Sequence, residues 1–380
     1  MSVERRDAPL PIACDRTSPD ARVVGLWLWC VTALVFAMVV VGGATRLTQS
    51  GLSIVEWNPV MGVIPPLGDA DWQAAFDQYK TIPQYTRVNT GMSLDEFKTI
   101  FWWEWTHRLL GRLIGAALLL PLIGFWWRGL MDRRLGLALC VIFALGGVQG
   151  GVGWWMVSSG LSERVSVSPY RLAFHLTLAC LIYAMLVWTA DRTMERGRAR
   201  RDRERARKHV VTPSVRVGAA LLLVAAIAQI YLGALVAGLH AGVIYNTWPL
   251  IDGYLVPPVS GLLFDVPWWR NFFENALTVQ FDHRMLAYGL CMVGLIHTLN
   301  VWRQSPGGPL ATGAGFTLTA ILAQALIGII TLLHGVPLFL ALLHQAMAVV
   351  VLTAATLHAA RVLSLHAVRL EPAALLKMLD

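Results

Sequence analysis

Eight long apolar segments constrain this chain of 380 residues more than any other feature of its sequence. A helix that crosses a bilayer needs about 20 mostly apolar residues. Such segments lie at 23–44, 102–127, 135–157, 169–190, 215–239, 277–301, 311–333 and 337–360. Charged residues make up only 14% of the chain, against roughly 25% in an average soluble domain. The sequence therefore predicts an all-α integral membrane protein with eight transmembrane helices.

The basic residues predict the orientation. Of the 31 Lys and Arg residues, 21 lie in the N-terminal tail 1–22, the turns 128–134 and 302–310, the segment 191–216 and the C-terminal tail. The positive-inside rule places these segments and both termini in the cytoplasm. The net charge of +8 would also suit a nucleic-acid-binding protein. However, the basic run from Arg192 to Lys208 links two apolar segments, as a cytoplasmic loop does, so we predict no nucleic-acid partner.

An internal repeat divides the sequence into two halves. The outer loop 45–101 holds a glycine, a tryptophan and a proline pair at nearly the same spacing as the outer loop 240–276. The pair His107-Arg108 recurs as His283-Arg284. An even number of helices per half requires a parallel repeat. We therefore predict two tandem pseudo-symmetric four-helix bundles, at 23–190 and 213–364, joined by a basic cytoplasmic linker at 191–212 and followed by a cytoplasmic tail at 365–380.

Two local patterns predict helices in the first outer loop. Asp69 to Lys80 is amphipathic, with Asp69 as its candidate cap. The sequence from Ser93 to Glu96 matches a capping box. The second spanning helix is therefore expected to begin near Leu94 and to project outward from the membrane.

Four of the ten histidines indicate a haem-binding function. They occupy the second and fourth predicted helix of each half, at similar depth: His107, His175, His283 and His344. Two imidazoles at one depth can hold one metal ion between them. Without carboxylate or thiolate companions, such a pair suits haem iron better than zinc, which prefers four ligands. The alternative is that these histidines only form hydrogen bonds inside a bundle.

Two more histidines leave a second alternative open. His297 and His358 each lie 14 residues after a predicted ligand, about 21 Å along the same helix. That spacing would suit a second, inner haem. The first half lacks it, with Pro121 and Thr189 at the matching positions, so we expect His297 and His358 to be inner-interface residues.

Ionisable side chains beside the histidines are candidates for chemistry, because such residues are rare within membranes. Glu104 lies three residues before His107, so both share one helix face. It is a candidate proton acceptor, and the second half has Gln280 in its place. The alternative role for Glu104 is an interaction with the helix dipole. The candidates for haem propionates are Arg46, Arg108, Arg112 and Arg284, with interfacial snorkelling as the alternative.

These motifs resemble the haem A synthase family. The resemblance rests on the run from Thr45 to Ser53, on Glu104-Trp105-Thr106-His107-Arg108 and on the histidines of both halves. The long loop looks like the mitochondrial and alphaproteobacterial type, through Trp72, Phe76, Tyr79, Pro83, Tyr85, Glu96 and Phe97. The Gram-positive type carries paired cysteines in its outer loops, and this sequence has none there.

The resemblance implies oxidation of a ring methyl of haem O to a formyl group, through a hydroxymethyl intermediate. His107 and His175 would bind the substrate, with Glu104 handling protons. His283 and His344 would be the axial ligands of a haem b cofactor. The implied location is the bacterial inner membrane. The implied partners are the farnesyltransferase that makes haem O and an unknown electron acceptor, and a homo-oligomer is left open. The rival function is a bis-histidine membrane cytochrome that only transfers electrons or reacts with quinone.

Overall fold

The computed structural model describes residues 19–58, 61–196 and 210–367. Eight helices in this part of the chain, α1 to α8, are long and apolar enough to cross a membrane. They are Pro19–Leu47, Leu94–Trp127, Arg133–Ser158, Pro169–Arg196, Pro213–Gly238, Ala276–Gln304, Pro309–Leu333 and Leu338–Ser364. The predicted all-α membrane fold is confirmed. Most of the predicted tails and linker, with His209, lie outside the described residues.

The ends of the helices follow local capping rather than the limits of the apolar segments. As predicted, α2 begins at Leu94: the Glu96 carboxylate accepts from the Ser93 backbone N–H at 2.8 Å, and the Ser93 hydroxyl accepts from the Glu96 N–H at 3.3 Å. Helix α4 continues past the predicted end at residue 190 to Arg196. An ion pair between Arg192 and Glu195 supports this extension, because residues three apart share a helix face.

The first outer loop contains the predicted amphipathic helix, at Asp69–Tyr79, but the predicted cap is wrong. Gly68 is the N-cap, and Asp69 is the first helical residue. The Asp71 carboxylate accepts from the backbone N–H of Leu67 at 3.3 Å and of Gly68 at 3.1 Å. It thus satisfies donors at the start of the helix, where free N–H groups need partners.

Aromatic side chains fix this loop on the outer end of α2 and α3. A hydrophobic cluster joins the loop to the two helices and contains Leu52, Trp72, Phe76, Tyr79, Ile82, Phe97, Phe101 and Val157. Tyr79 and Phe97 are completely buried. The cluster holds the segment 50–56 against α2, where the Ser53 hydroxyl donates to the Ile100 carbonyl at 3.3 Å.

Each set of four consecutive helices closes into a ring. In the first, α1 and α3 each contact both α2 and α4. In the second, α5 and α7 each contact both α6 and α8. The rings meet where α4 packs against α5 and α8 and α1 packs against α8, and there the Tyr183 hydroxyl lies 2.7 Å from Oγ1 of Thr353. This packing is compatible with the predicted tandem pseudo-symmetry, which stays a prediction.

The ends of the second ring define two faces of the molecule. Strand β1, Val210–Val211, pairs in parallel with β2, His366–Ala367. The start of α5 and the end of α8 therefore lie together, opposite the 240–276 loop. In that loop the structure contains short helices that were not predicted, at Ala241–Ile244, Val259–Leu262 and Asn271–Glu274. Placement of the β1–β2 face in the cytoplasm stays a prediction.

Candidate functional site

The four predicted ligands lie on opposite helices of the two rings. His107 lies on α2 and His175 on α4, which are joined on either side by α1 and α3 in the first ring. In the second ring, His283 on α6 and His344 on α8 are placed in the same way. His175, His283 and His344 each lie six or seven residues into their helices. His107 lies 13 residues into α2, which is the longest of the eight helices at 34 residues.

A glycine on the preceding helix accommodates each of the four imidazole rings. A Cβ atom added to Gly42 would lie 2.8 Å from Cε1 of His107, and one added to Gly153 would lie 3.0 Å from Cε1 of His175. In the second ring, the distance is 3.1 Å from Gly233 to His283 and 2.7 Å from Gly328 to His344. Any larger residue at these positions would press on the imidazole. Each of the four histidines therefore packs against the helix that precedes its own in the chain.

Glutamines contact three of these histidines. The Gln149 amide nitrogen lies 3.1 Å from Nδ1 of His175 and donates to its backbone carbonyl at 3.0 Å. Gln229 makes the same contacts with His283, at 3.0 and 2.9 Å. Gln324 donates to the His344 carbonyl at 3.0 Å and lies 3.4 Å from Nε2 of that ring. Each glutamine therefore fixes both the backbone and the ring of a histidine.

The two outer pairs fit the requirements of bis-histidine haem binding. Within the described residues, neither a hydrogen bond nor a ring contact joins His107 to His175, or His283 to His344. Nδ1 of His107 and Nδ1 of His344 are buried and have no partner in the described part of the chain. Opposed imidazoles in a four-helix bundle, with glycines that admit close approach, suit haem iron.

The inner pair is different. Nε2 of His297 lies 2.7 Å from Nε2 of His358, and the ring centroids are 5.0 Å apart. A metal ion between two imidazoles, at about 2 Å from each nitrogen, would need these atoms about 4 Å apart. The two rings instead share a hydrogen bond, and both residues are buried. The observed contact therefore favours an interface pair over an inner haem.

Glu104 is buried and makes four hydrogen bonds. Its Oε2 accepts from the Ser53 hydroxyl at 2.8 Å and from the Ile54 backbone N–H at 2.9 Å. Its Oε1 accepts from Nε and Nη2 of Arg108, at 3.1 and 2.6 Å. The carboxylate thus joins the first outer loop to the helix that carries His107.

The second half has a different contact at the matching position, and this explains why Gln280 stands there in place of a carboxylate. In the second ring, Nε2 of Gln280 and Nη2 of Arg284 both point to the Tyr245 carbonyl, at 3.4 and 3.2 Å. The first loop presents donors to Glu104, whereas the second presents an acceptor to Gln280. A carboxylate accepts only, whereas an amide can also donate. Each side chain therefore matches its own loop, and loop binding is an alternative to catalysis for Glu104.

The four candidate arginines also bind backbone carbonyls. Arg108 donates to Ile54 and Glu56. Arg112 donates to Asn58 at 2.7 Å, and Arg284 also donates to Leu250 at 3.3 Å. A role in binding propionates is untested and stays a prediction.

Arg46 differs because it connects the two rings. It lies in the last turn of α1 and donates to the Ala237 carbonyl near the end of α5. Burial, with a contribution from the Arg46 charge, lowers the pKa of His240 in the adjoining outer loop. At the end of α7, Nδ1 of His334 lies 2.8 Å from the Ile330 carbonyl of the same helix.

The sequence reasoning missed several residues of the site. The motifs assign no role to the three glutamines Gln149, Gln229 and Gln324, to the four glycines, or to Ser53, which they include only as the end of the run from Thr45. One signal was available: a glutamine precedes a glycine by four residues at Gln149, Gln229 and Gln324. Residues four apart lie on one helix face, so the pattern marks a surface that can contact a partner helix. The Ser53–Glu104 contact spans 51 residues of sequence and left no comparable signal.

Comparison with known proteins agrees with the sequence resemblance. Residues 25–356 match the family model COX15-CtaA, described as cytochrome oxidase assembly protein. The chain is 55% identical to heme A synthase of Bradyrhizobium diazoefficiens over 356 residues, which are 93% of this chain and 96% of the relative. It is 54% identical to heme A synthase of Rhodopseudomonas palustris strain HaA2 over 343 residues, 90% of this chain and 91% of the relative.

Proposed function

Because this chain belongs to the COX15-CtaA family of cytochrome oxidase assembly proteins, we propose that its two histidine pairs divide the work of one enzyme. The enzyme is a haem A synthase, an oxidoreductase that acts on haem O to make haem A. The observation that carries the division of work is the presence of two opposed histidine pairs, one in each helix ring, of which only the first has a carboxylate on the same helix face.

The first ring, within 23–190, is the proposed substrate site. His107 and His175 bind the iron of haem O. Gly42 and Gly153 let the two imidazole rings approach α1 and α3 closely. The outer loop lies over this end of the ring through its aromatic cluster. We expect the loop to limit the access of water to this end of the ring.

Glu104 is the proposed proton acceptor in that site. Its Oε2 already accepts a hydrogen bond from the Ser53 hydroxyl, at 2.8 Å. A hydroxyl is both a donor and an acceptor and can rotate, so Ser53 is the one partner of Glu104 that could pass a proton to it. Arg108 holds the other oxygen in place. General-base catalysis of this kind contributes about 10²–10⁴ to a rate.

The second ring, within 213–364, is the proposed cofactor site. His283 and His344 would hold haem b, which would supply one-electron transfer. Gln229 and Gln324 fix the two histidines, and Arg284 joins α6 to the outer loop. The absence of a carboxylate at Gln280 suits a site that carries electrons without proton chemistry on its ligand.

The protein is a multi-pass membrane protein. We propose the bacterial inner membrane as its location, with both termini in the cytoplasm, on the strength of the basic segments. The farnesyltransferase that makes haem O is the proposed supplier of substrate.

Two measurements on one preparation test the function. The chain is produced in cells that make haem O and lack their own haem A synthase, and the haems of both membranes and purified protein are identified by mass. We expect haem A in the membranes and haem b in the purified protein. Haem b without any haem A would instead support the rival function, a bis-histidine cytochrome that only carries electrons.

A further inference from the structure

Three of the four predicted ligands are supported by a glycine and a glutamine of the preceding helix, whereas His107 is supported by a glycine alone. On α3, α5 and α7, a glutamine precedes the supporting glycine by four residues. On α1, the residue four before Gly42 is Met38. Methionine cannot donate a hydrogen bond. His107 is therefore the one predicted ligand whose ring and carbonyl lack a glutamine contact in the described residues; its Nδ1, like that of His344, has no partner there.

Packing around Met38 shows an adapted site rather than a simple loss. A Cβ atom on Gly111, four residues after His107, would lie 3.3 Å from Cε of Met38. The residues four after the other three histidines are Ala179, Ala287 and Ala348. The methionine thus fills space that a glycine leaves on α2, while alanine accompanies glutamine in the other three cases.

The missing contact affects how firmly the ligand is held. A glutamine amide that bonds the carbonyl of a histidine and also lies against its ring restricts both the turn of helix and the rotamer. Methionine packs flexibly and imposes no direction. A typical hydrogen bond changes an equilibrium by about twofold to tenfold, so the ring without one should leave its position more often than its three counterparts.

We propose that His107 is the exchangeable axial ligand of this enzyme and that Met38, with Gly111, is the device that keeps it exchangeable. The inference rests on the proposed assignment of the two histidine pairs to haem O and haem b. A substrate haem must enter and leave, whereas a resident haem must stay. Three fixed ligands and one loosely held ligand, located in the substrate pair, match that requirement. Met38 is thus a positioning residue that acts through His107.

A reciprocal exchange of supports tests the proposal, with carbon monoxide as the probe. Carbon monoxide binds ferrous haem only while an axial position is open. The double variant Met38→Gln/Gly111→Ala gives His107 the support of the other three. The double variant Gln324→Met/Ala348→Gly gives His344 the support of His107. Gln304→Met is the matched control, because Gln304 bonds Asn300 at the far end of α6.

Purified protein that retains both haems is reduced and mixed with carbon monoxide, and the adducts of haem O and haem b are followed by their spectra. We expect haem O in the first variant to react about twofold to tenfold more slowly than in the unchanged protein. Haem b in the second variant should react faster by a similar factor. The control should match the unchanged protein in both reactions.

Unchanged reactivity in both double variants would overturn the proposal while leaving the haem assignment intact. Each double variant also has an internal check on folding, since the haem in the helix ring without substitutions should keep its normal spectrum. If His107→Ala and His344→Ala left both haem spectra unchanged, the assignment of the sites and this proposal would fail together. If the first variant slowed the reaction of haem O but the second variant left the reaction of haem b unchanged, the role of the shared support would also be contradicted.

Discussion

The hydroxyl of Ser53 donates a hydrogen bond to Oε2 of Glu104 at 2.8 Å, across 51 residues of sequence. This contact joins the outer loop to the helix that carries His107. It gives Glu104 two possible functions, proton transfer to or from the substrate and attachment of the loop. The two functions predict different results for substitutions at the two residues.

Replacement of Glu104 by glutamine should stop the reaction without unfolding the protein. The amide is nearly isosteric but cannot serve as a general base at neutral pH, so we expect a loss of about 10²–10⁴ in rate. Haem O, or its hydroxymethyl product, should accumulate. The measurement is the mass profile of haems from cells that carry only this variant. Haem A at the normal level would remove Glu104 from the mechanism.

Ser53→Ala separates catalysis from attachment of the loop. This variant removes the contacts of the Ser53 hydroxyl with α2, to Glu104 and to the Ile100 carbonyl, but keeps the carboxylate, the Ile54 N–H and Arg108 in place. If Glu104 is the proton acceptor, Ser53→Ala should retain much more activity than Glu104→Gln. Equal losses in the two variants would indicate that the bond itself matters, either as the path of the proton or as the attachment. Protease sensitivity of the loop then distinguishes these, since only loss of attachment should expose it.

His283→Ala and His344→Ala should each abolish the low-spin haem b spectrum, because either change removes one of two proposed axial ligands. The measurement is the optical and paramagnetic resonance spectrum of purified protein. His297→Ala and His358→Ala are the matched controls, since the same residue type is removed from the same two helices. They should leave haem b largely intact. Loss of haem b in these controls, with retention in the first two variants, would favour an inner haem.

Gly328→Ala should weaken the binding of haem b. The added Cβ atom would lie 2.7 Å from Cε1 of His344, so the ring must move. Within a helix this substitution is otherwise favourable, by about 0.5–1 kcal/mol, and a loss of haem would therefore report the local contact. Gly315→Ala on the same helix is the control, because no atom lies within 4 Å of its added Cβ. Equal haem content in both variants would contradict the proposed support.

The orientation can be tested with a fusion in the basic linker. A reporter at residue 205 should be active only in the form that requires the cytoplasm, because the Arg-rich segment is expected to remain there. A second fusion in the 240–276 loop, which lies at the opposite end of α5, should give the reverse result. Activity of a periplasmic reporter at residue 205 would invert the proposed topology.

The sequence alone determined the eight helices and the start of α2 at Leu94, and it pointed to the four candidate ligands. These follow from local rules, because a span needs a fixed length of apolar residues and a capping box involves only four neighbours. The limits of the helices were less certain, since polar turns such as the end of α4 continue a helix beyond the apolar segment.

Tertiary structure decided the contacts that give these residues their surroundings. Sequence periodicity could not show that Glu104 meets Ser53, that Gln229 reaches His283, or that His297 closes on His358. Each depends on the rotation of helices about their axes and on the path of loops far away in sequence. The same residue type therefore takes different surroundings: within the described residues His283 makes no hydrogen bond to His344, whereas His297, 14 residues later on the same helix, hydrogen-bonds His358 at 2.7 Å.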